Sequence, residues 1–562
     1  MNSATREISA FRRLALAILV LIAALGVLAL GFNRDAGAAE TFTQVEKAKP
    51  GKGGKGGDGK KGDGKGGKGD GKGGKGDGKN GGKGGKKKPE RMETPNILMI
   101  QSDDQSPRTI LPESMPNLFN RLMPRGTTFT DYIVTTPLCC PSRATILTGQ
   151  YGHNNGVLRN FYPDLKQKSN VLPSWLQHAG YNTAHIGKFL NSYEANEGGP
   201  AAVAPGWDLW FTELEKRRYY NWKASKNGRV KHYGSADNDH VTNVTTEFAT
   251  RWTKRLARKK DPFYMQVDYY APHTSTGRDT RCSTGAVPAP EDEGRFATFP
   301  TPRPPSYNED DVSDKASPTK DRTVITPEEE LNIERRFRCT LESVYGVDRG
   351  IGELMDTLKD SKELDDTVIM FASDNGFFYG EHRIAKGKPS PYEENLRMPM
   401  TMYVPPKFRD RSELVPTTNA PTANIDIAPT FLDLADADPC RTKRICRTMD
   451  GRSLMPLMDG SGAWPNPRAI GIELGACDYR GVRYERDVYF KFSTETADGT
   501  CGPTTGTEFY DLDNDPDQLG NLAPLDQYND VEARLDDLTQ VMSDCAGIDG
   551  RDPEPASGHY CQ

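Results

Sequence analysis

The sequence predicts an α/β protein built on a large, mostly parallel central sheet flanked by helices, with a smaller β-rich part at its C-terminal end. Three observations predict it. Short apolar runs such as Asn96-Ile97-Leu98-Met99-Ile100 and Thr367-Val368-Ile369-Met370-Phe371-Ala372 have the length and composition of buried strands. Between them lie segments of helical period, in which Leu341, Val344, Ile351, Leu354, Met355 and Leu358 line one face. Beyond about residue 460 the runs shorten, as in Val488-Tyr489-Phe490-Lys491-Phe492 and Thr507-Glu508-Phe509-Tyr510-Asp511-Leu512, before a last helix from Val531 to Met542. Alternation of this kind gathers functional groups outside the carboxyl ends of the strands. The body is read as residues 95–460 and the C-terminal part as 461–562, and 562 residues are enough for both cores.

Two segments precede the body. Arg6, Arg12 and Arg13 stand before an uncharged run from Leu14 to Phe32, and Ala36-Gly37-Ala38 follows as a small-residue cleavage pattern. Residues 1–38 are therefore read as a secretory signal. An uncleaved membrane anchor is the alternative, because the run is long enough to span a bilayer. Either outcome places the rest outside the cytosol.

Residues 39–94 are read as a linker. From 51 to 88 the chain is almost entirely Gly, Lys and Asp, with Gly64–Asp70 repeated in Gly71–Asp77. Glycine keeps no strict third-position frame and proline is absent until Pro89, which excludes a collagen helix and leaves a flexible spacer. Thirteen lysines against four aspartates give this stretch +9, enough for weak contact with an anionic surface. The first fifty residues carry +2, so the whole-chain net of −5 leaves −16 for residues 89–562. A body of that sign is not expected to bind nucleic acid. It gains nothing from long-range attraction to an anionic substrate either, so capture must rest on local cations and a bound metal.

Several strand candidates end on polar residues. Asn96–Ile100 runs into Gln101-Ser102-Asp103-Asp104, and Thr367–Ala372 into Ser373-Asp374-Asn375-Gly376. The oxygen-only set Asp103, Asp104, Asp374 and Asn375 suits one hard cation, Ca²⁺ in preference to Mg²⁺. Tyr181–Ile186 leads to Lys188 and Phe263–Tyr270 to His273, on what should be the same edge. From Arg278 to Pro327 there is no apolar period, which reads as a long surface excursion over or beside the site.

One further stretch organises these pieces: Pro137-Leu138-Cys139-Cys140-Pro141-Ser142-Arg143-Ala144-Thr145-Ile146-Leu147-Thr148-Gly149. A proline in a first helical turn suggests a helix opening at Pro141, so that Cys139 faces unpaired N–H groups that favour an anion and an activated nucleophile. The segment resembles the sulfatase signature Cys-x-Pro-Ser-Arg followed by Thr-Gly, with every fixed position filled. That resemblance implies an alkaline-phosphatase-like sandwich and a maturation enzyme that oxidises Cys139 to formylglycine (3-oxoalanine). The hydrated aldehyde would attack the sulfur of a sulfate ester, and its second hydroxyl would then expel sulfate. It also implies that Cys139 joins the calcium ligands, that Arg143, Lys188 and Lys388 hold the sulfate, and that His273 protonates the leaving oxygen.

The chain departs from many sulfatases in one place. Lys188 is followed by Phe189-Leu190-Asn191, where many members have a histidine two residues after the lysine. The variant is similar to the branch containing N-acetylglucosamine-6-sulfatases and extracellular heparan sulfatases, as are His153-Asn154 and Pro205-Gly206-Trp207. The resemblance implies an exported enzyme acting on the 6-O-sulfate of N-acetylglucosamine in glycans, with His153, Asn154 and Asn191 reading the substrate. An arylsulfatase, a phosphonate or phosphodiester hydrolase on the same scaffold, and a catalytically silent glycan-binding surface protein are the alternatives.

Ten cysteines in an exported chain point to disulfides. Setting aside Cys139 and Cys140, short separations favour Cys440 with Cys446, Cys477 with Cys501 and Cys545 with Cys561, leaving Cys282 with Cys339. No Cys-x-x-Cys spacing occurs, which argues against structural zinc.

Overall fold

The computed structural model describes residues 94–561 apart from 197, 215–217, 277–281, 283–284, 389, 412, 443, 463 and 466. The signal, anchor and linker expectations, with the anionic-surface contact, lie outside the described residues but for Thr94. Ten strands form the central sheet: β1 (Asn96–Ser102), β2 (Thr127–Phe129), β3 (Asn182–Gly187), β4 (Leu209–Glu213), β5 (Lys223–Lys226), β6 (Arg229–His232), β7 (Phe263–Asp268), β8 (Thr367–Ser373), β9 (Met400–Tyr403) and β10 (Thr417–Thr418). Their order is β10-β2-β9-β8-β1-β7-β3-β4-β5-β6. The middle strands β8, β1, β7, β3 and β4 run parallel, and antiparallel pairs flank them.

The middle strands bury both faces, which is why they read as continuous apolar runs. Ile97 and Met99 of β1 join Val368 and Met370 of β8 in one core, while Leu98 and Ile100 join Ile369 and Phe371 in the other. Helices α1 (Cys139–Thr148), α2 (Leu172–His178), α3 (Val241–Leu256), α4 (Pro327–Ser361) and α5 (Ile427–Ala435) divide between the two faces. Leu147, Trp175 and Phe431 place α1, α2 and α5 against the first core; Phe248 and Leu354 place α3 and α4 against the second. Local chemistry sets the start of α4: Thr326 and Glu329 form a capping box, Pro327 opens the first turn and Glu328–Glu330 sit at the positive end of the dipole. The apolar face expected from Leu341 to Leu358 is buried throughout.

At the C-terminal end, β11 (Ala469–Leu474), β12 (Tyr479–Tyr484), β13 (Asp487–Phe492) and β14 (Gly506–Asp511) form an antiparallel meander. Helix α6 (Asn529–Asp544) packs on it through Leu535 and Met542, and the same core takes in Tyr392 and Ile425 of the body.

The excursion before α4 is irregular as expected, but it is not confined to the surface. Phe296 packs with Phe337 and Tyr379, and Glu309, Lys315 and Ala316 are buried. The reason is bonding that the local pattern hides: Lys315 pairs with Glu309 at 3.2 Å and donates to the carbonyl of Gln518 at 2.9 Å. All four disulfides are the expected ones, and Cys139 and Cys140 are in none. Among the described residues no helix is long and apolar enough to cross a membrane.

Candidate active site

Each of the five parallel strands carries a polar group at its carboxyl end: Asp374 after β8, Asp103 after β1, Asp268 at the end of β7, Lys188 after β3 and Glu213 at the end of β4. Register makes them neighbours. Ser102 pairs with Ser373, Gln101 and Gly187 both pair with Asp268, and Gly187 pairs with Thr212. Gly187 permits the close approach: its φ is +103°, and a Cβ there would stand 1.9 Å from the Asp268 carbonyl oxygen. Lys188 N–H then donates to that oxygen at 2.8 Å. Asp104 also adopts a left-handed φ, +61°, and its N–H donates to Asp374 Oδ1 at 3.1 Å.

Helix α1 opens at Cys139, two residues earlier than the proline suggested, and Pro141 sits inside the first turn. Its N-cap Leu138 offers no side-chain acceptor; Asn160 Oδ1 instead accepts from Cys140 N–H at 3.0 Å. The helix closes on Gly149 at φ +64°. Cys139 Sγ lies 3.4 Å from Asp103 Oδ1, 3.7 Å from Asp104 Oδ1 and 2.6 Å from Lys388 Nζ. Lys388 also pairs with Asp104, and Lys188 with Asp103. Arg143, one turn into α1 and 1% exposed, holds Asp374 at 2.8 Å and reaches Asp268 at 3.4 Å and Asp103 at 3.5 Å. Its Nη1 donates to the Lys188 carbonyl at 3.0 Å.

The charges do not cancel uniformly. Burial, then Asp374, push Asp103 above the usual carboxylate range. Burial pushes Asp104 the same way, but Lys388 with His273 and Lys188 outweigh it and hold this carboxyl well below that range. Burial and then Asp103 push the Cys139 thiol up. Lys188 and Lys388 oppose that rise without reversing it.

His273 Nδ1 lies 2.8 Å from the Thr274 carbonyl, which only accepts, so this nitrogen carries a proton. Nε2 faces Asp104 Oδ2 at 3.4 Å. Burial pushes His273 down to about 4 although Asp104 opposes it, so donation from Nε2 requires a charged state that the interior disfavours.

A cation fits this donor set. Asp103, Asp104, Cys139 and His273 present ligand atoms that all lie within 4.8 Å of one another. Asn375 Nδ2 donates to Asp104 Oδ1 at 2.8 Å, and its Oδ1 is buried with no hydrogen-bond partner, as an oxygen reserved for a metal would be. Asp374 lies beside them, against Asp104 N–H and Arg143.

Lys388 is carried by a braced loop. Arg108 pairs with Glu381 at 3.1 Å and Glu394 at 3.2 Å, and His382 Nδ1 lies 2.8 Å from Glu309 of the excursion. The excursion thus supports the site from the side.

Of the residues expected to read substrate, the structure brings only Asn191 near the cluster. Asn191 lines a cavity of ≈330 Å³ with Lys188 and His273. His153 instead meets Glu473 Oε2 at 3.1 Å and the Cys545 carbonyl at 3.0 Å, and Asn154 donates to Asp450 at 2.9 Å and to Cys545 at 2.8 Å. Both tie the body to the C-terminal part. Trp207, whose segment matched the substrate branch, is buried and stacked on Tyr264. Sequence reasoning missed Asp268, held by His185 Nε2 at 2.9 Å, and Glu213. Asp268 could have been found as a carboxylate ending an apolar run, like Asp103 and Asp374; Glu213 follows a run with weaker strand character.

The sulfatase family profile matches residues 95–437. A Caenorhabditis elegans extracellular sulfatase homologue is 31% identical over 65% of this chain and 49% of its own length. Human N-acetylglucosamine-6-sulfatase is 29% identical over 65% of each chain. The chain thus spans about half of the first relative and just under two thirds of the second. A solved structure in complex with its substrate D-glucosamine-2-N,6-O-disulfate superposes with a TM-score of 0.64 over 80% of this chain and 97% of that one, at 24% identity, and so shares the fold. That fold is the expected alkaline-phosphatase-like sandwich.

Proposed function

The chain belongs to the sulfatase family, and we propose that it hydrolyses sulfate monoesters with residue 139, oxidised from cysteine to formylglycine by a maturation enzyme, as the nucleophile. The carrying observation is the position of Cys139: on the first residue of a helix, against two carboxylates and Lys388, where a reacting sulfate would meet fixed cations. Asp103, Asp104, Asp374 and Asn375 would hold one divalent cation, Ca²⁺ on an oxygen-only set. Such an ion supplies charge for the sulfate oxygens and acidifies the attacking hydroxyl.

This chain's own residues do the rest. Lys188 and Lys388 hold sulfate oxygens, and Arg143 keeps Asp103, Asp268 and Asp374 in place from below. As residue 139 attacks sulfur, the bond to the leaving oxygen breaks and His273, in the doubly protonated state that Asp104 favours against burial, gives that oxygen its Nε2 proton. Residues 95–460 carry this chemistry and residues 461–562 brace it through the Glu473 and Cys545 contacts.

The preferred substrate is 6-O-sulfated N-acetylglucosamine in a glycan, supported by the human relative and by the Gly187-Lys188-Phe189-Leu190-Asn191 segment. Export is supported by the four disulfides, which persist in oxidising compartments, and by the relative described as extracellular. Sulfate release from sugar and nitrophenyl sulfates, set against phosphate release from the matching phosphate esters, tests the reaction class. Faster phosphate than sulfate release would reject it.

A further inference from the structure

Two acceptors in the cavity that Lys188 and His273 line lack a donor among the described residues. Glu213 Oε1 and Asn191 Oδ1 are both buried with no hydrogen-bond partner among the described residues. Both line the cavity that Lys188 and His273 also line, whose other walls include Phe189 and Leu190. A buried acceptor left unpaired is unfavourable, so native proteins keep few of them and often where a ligand supplies the missing group. The amide of Asn191 can turn to satisfy itself, but a carboxyl has an oxygen on either side.

The placement of Glu213 follows from the sheet. Gly187 and Thr212 are register partners on adjacent parallel strands, so Lys188 and Glu213 leave the carboxyl edge side by side. Lys188 is engaged by Asp103 and pairs with no oxygen of Glu213. Burial pushes the Glu213 carboxyl up to about 8, and in either protonation state it retains an acceptor oxygen.

We propose that Glu213, with Asn191, forms a specificity subsite that accepts hydrogen bonds from ring hydroxyl or N–H groups of the sugar whose sulfate is at residue 139. The subsite rests on the sulfatase reading above. Apolar Phe189 and Leu190 would take the C–H face of the same ring, and Glu213 would act on binding rather than on the reacting bonds.

The test is a cycle of enzyme and ligand changes. Wild-type protein with residue 139 matured, Glu213→Ala and Glu213→Gln would each be given N-acetylglucosamine 6-sulfate, its 3-deoxy and 4-deoxy analogues, and 2-deoxyglucose 6-sulfate, with nitrophenyl sulfate as a control on the wild type. For at least one analogue the wild type should lose about tenfold to a hundredfold in kcat/KM, mostly through KM, as for one buried acceptor left unpaired. Glu213→Ala should lose less than about threefold for that analogue, because its partner is already gone. Glu213→Gln, which keeps an acceptor oxygen, should restore part of the discrimination, and it carries the test alone if the alanine variant fails to fold. Equal losses in all three enzymes for every analogue would overturn the subsite. Turnover of nitrophenyl sulfate but of no sugar would overturn it while leaving the sulfatase reading intact. Turnover of no ester at all would remove the reading on which it rests.

Discussion

Lys388 Nζ stands 2.6 Å from Cys139 Sγ, although 249 residues separate the two in the chain. The contact joins the start of α1 to the braced loop after β8, and it places a fixed cation on the atom that the proposed chemistry converts. Cys139→Ala should abolish sulfate release while the thermal midpoint changes by no more than a few degrees, since the thiol adds little packing. The peptide spanning Thr135 to Arg143 should show the aldehyde or its hydrate by mass in active wild-type preparations. An active protein carrying only the unmodified thiol would contradict the assignment.

Removal of the cation is the second test. Asp103, Asp104, Asp374 and Asn375 place three carboxylates and an orphan amide oxygen together in the interior. Exhaustive chelation should abolish turnover and lower stability, and calcium at about a hundred times its Kd should restore about 2.7 kcal/mol. Full activity in protein shown free of metal would count against the site.

Arg143 offers a stability measurement independent of catalysis. Its guanidinium reaches Asp103, Asp268 and Asp374 while 1% exposed. Arg143→Ala takes the buried guanidinium from Asp374 and from one side of Asp103 and Asp268, and should destabilise the protein by about 3 kcal/mol in denaturant titration. A change below 1 kcal/mol would show that water or rearrangement replaces the guanidinium.

Alkaline pH should weaken the bracing. Burial lowers His382, but Glu309 and Glu394 outweigh it and raise its pKa to about 9; Glu473 does the same for His153. A folded-state value above the unfolded 6.5 means that the stabilisation is fully present below pH 6.5 and is lost as pH rises through about 9. The unfolding free energy, and with it the denaturant midpoint, should fall across that window, the former by about 1–3 kcal/mol per histidine. His382→Gln should flatten the decline, and a wild-type midpoint that stays level from pH 6.5 to 9 would refute the coupling.

His273 is tested through the leaving group. A sugar alkoxide leaves with a far higher pKa than a nitrophenolate, so it depends more on a proton. His273→Ala should reduce kcat/KM on N-acetylglucosamine 6-sulfate at least tenfold more than on nitrophenyl sulfate. Equal reductions would assign His273 to binding or to the metal instead of proton donation.

Sequence by itself determined the α/β class, the strand runs ending in Asp103-Asp104 and Asp374-Asn375, the buried face of α4 and the signature from Cys139 to Gly149. These are local signals: apolar period, a turn residue or a spacing is complete within a few residues. Only the tertiary structure decided which strand ends become neighbours. The order β8-β1-β7-β3-β4 and its register bring Asp268 under Arg143 and set Glu213 beside Lys188, and no pattern along the chain encodes that order. Folding also turned His153 and Asn154 towards the Cys545 carbonyl and buried Lys315 in a segment that reads as surface. It raised the Cys139 thiol through burial and Asp103, which no local pattern displays. The physical reason is common to these cases: desolvation and charge pairing depend on what comes from distant parts of the chain to enclose a residue, and their magnitudes exceed the local preferences that a sequence displays.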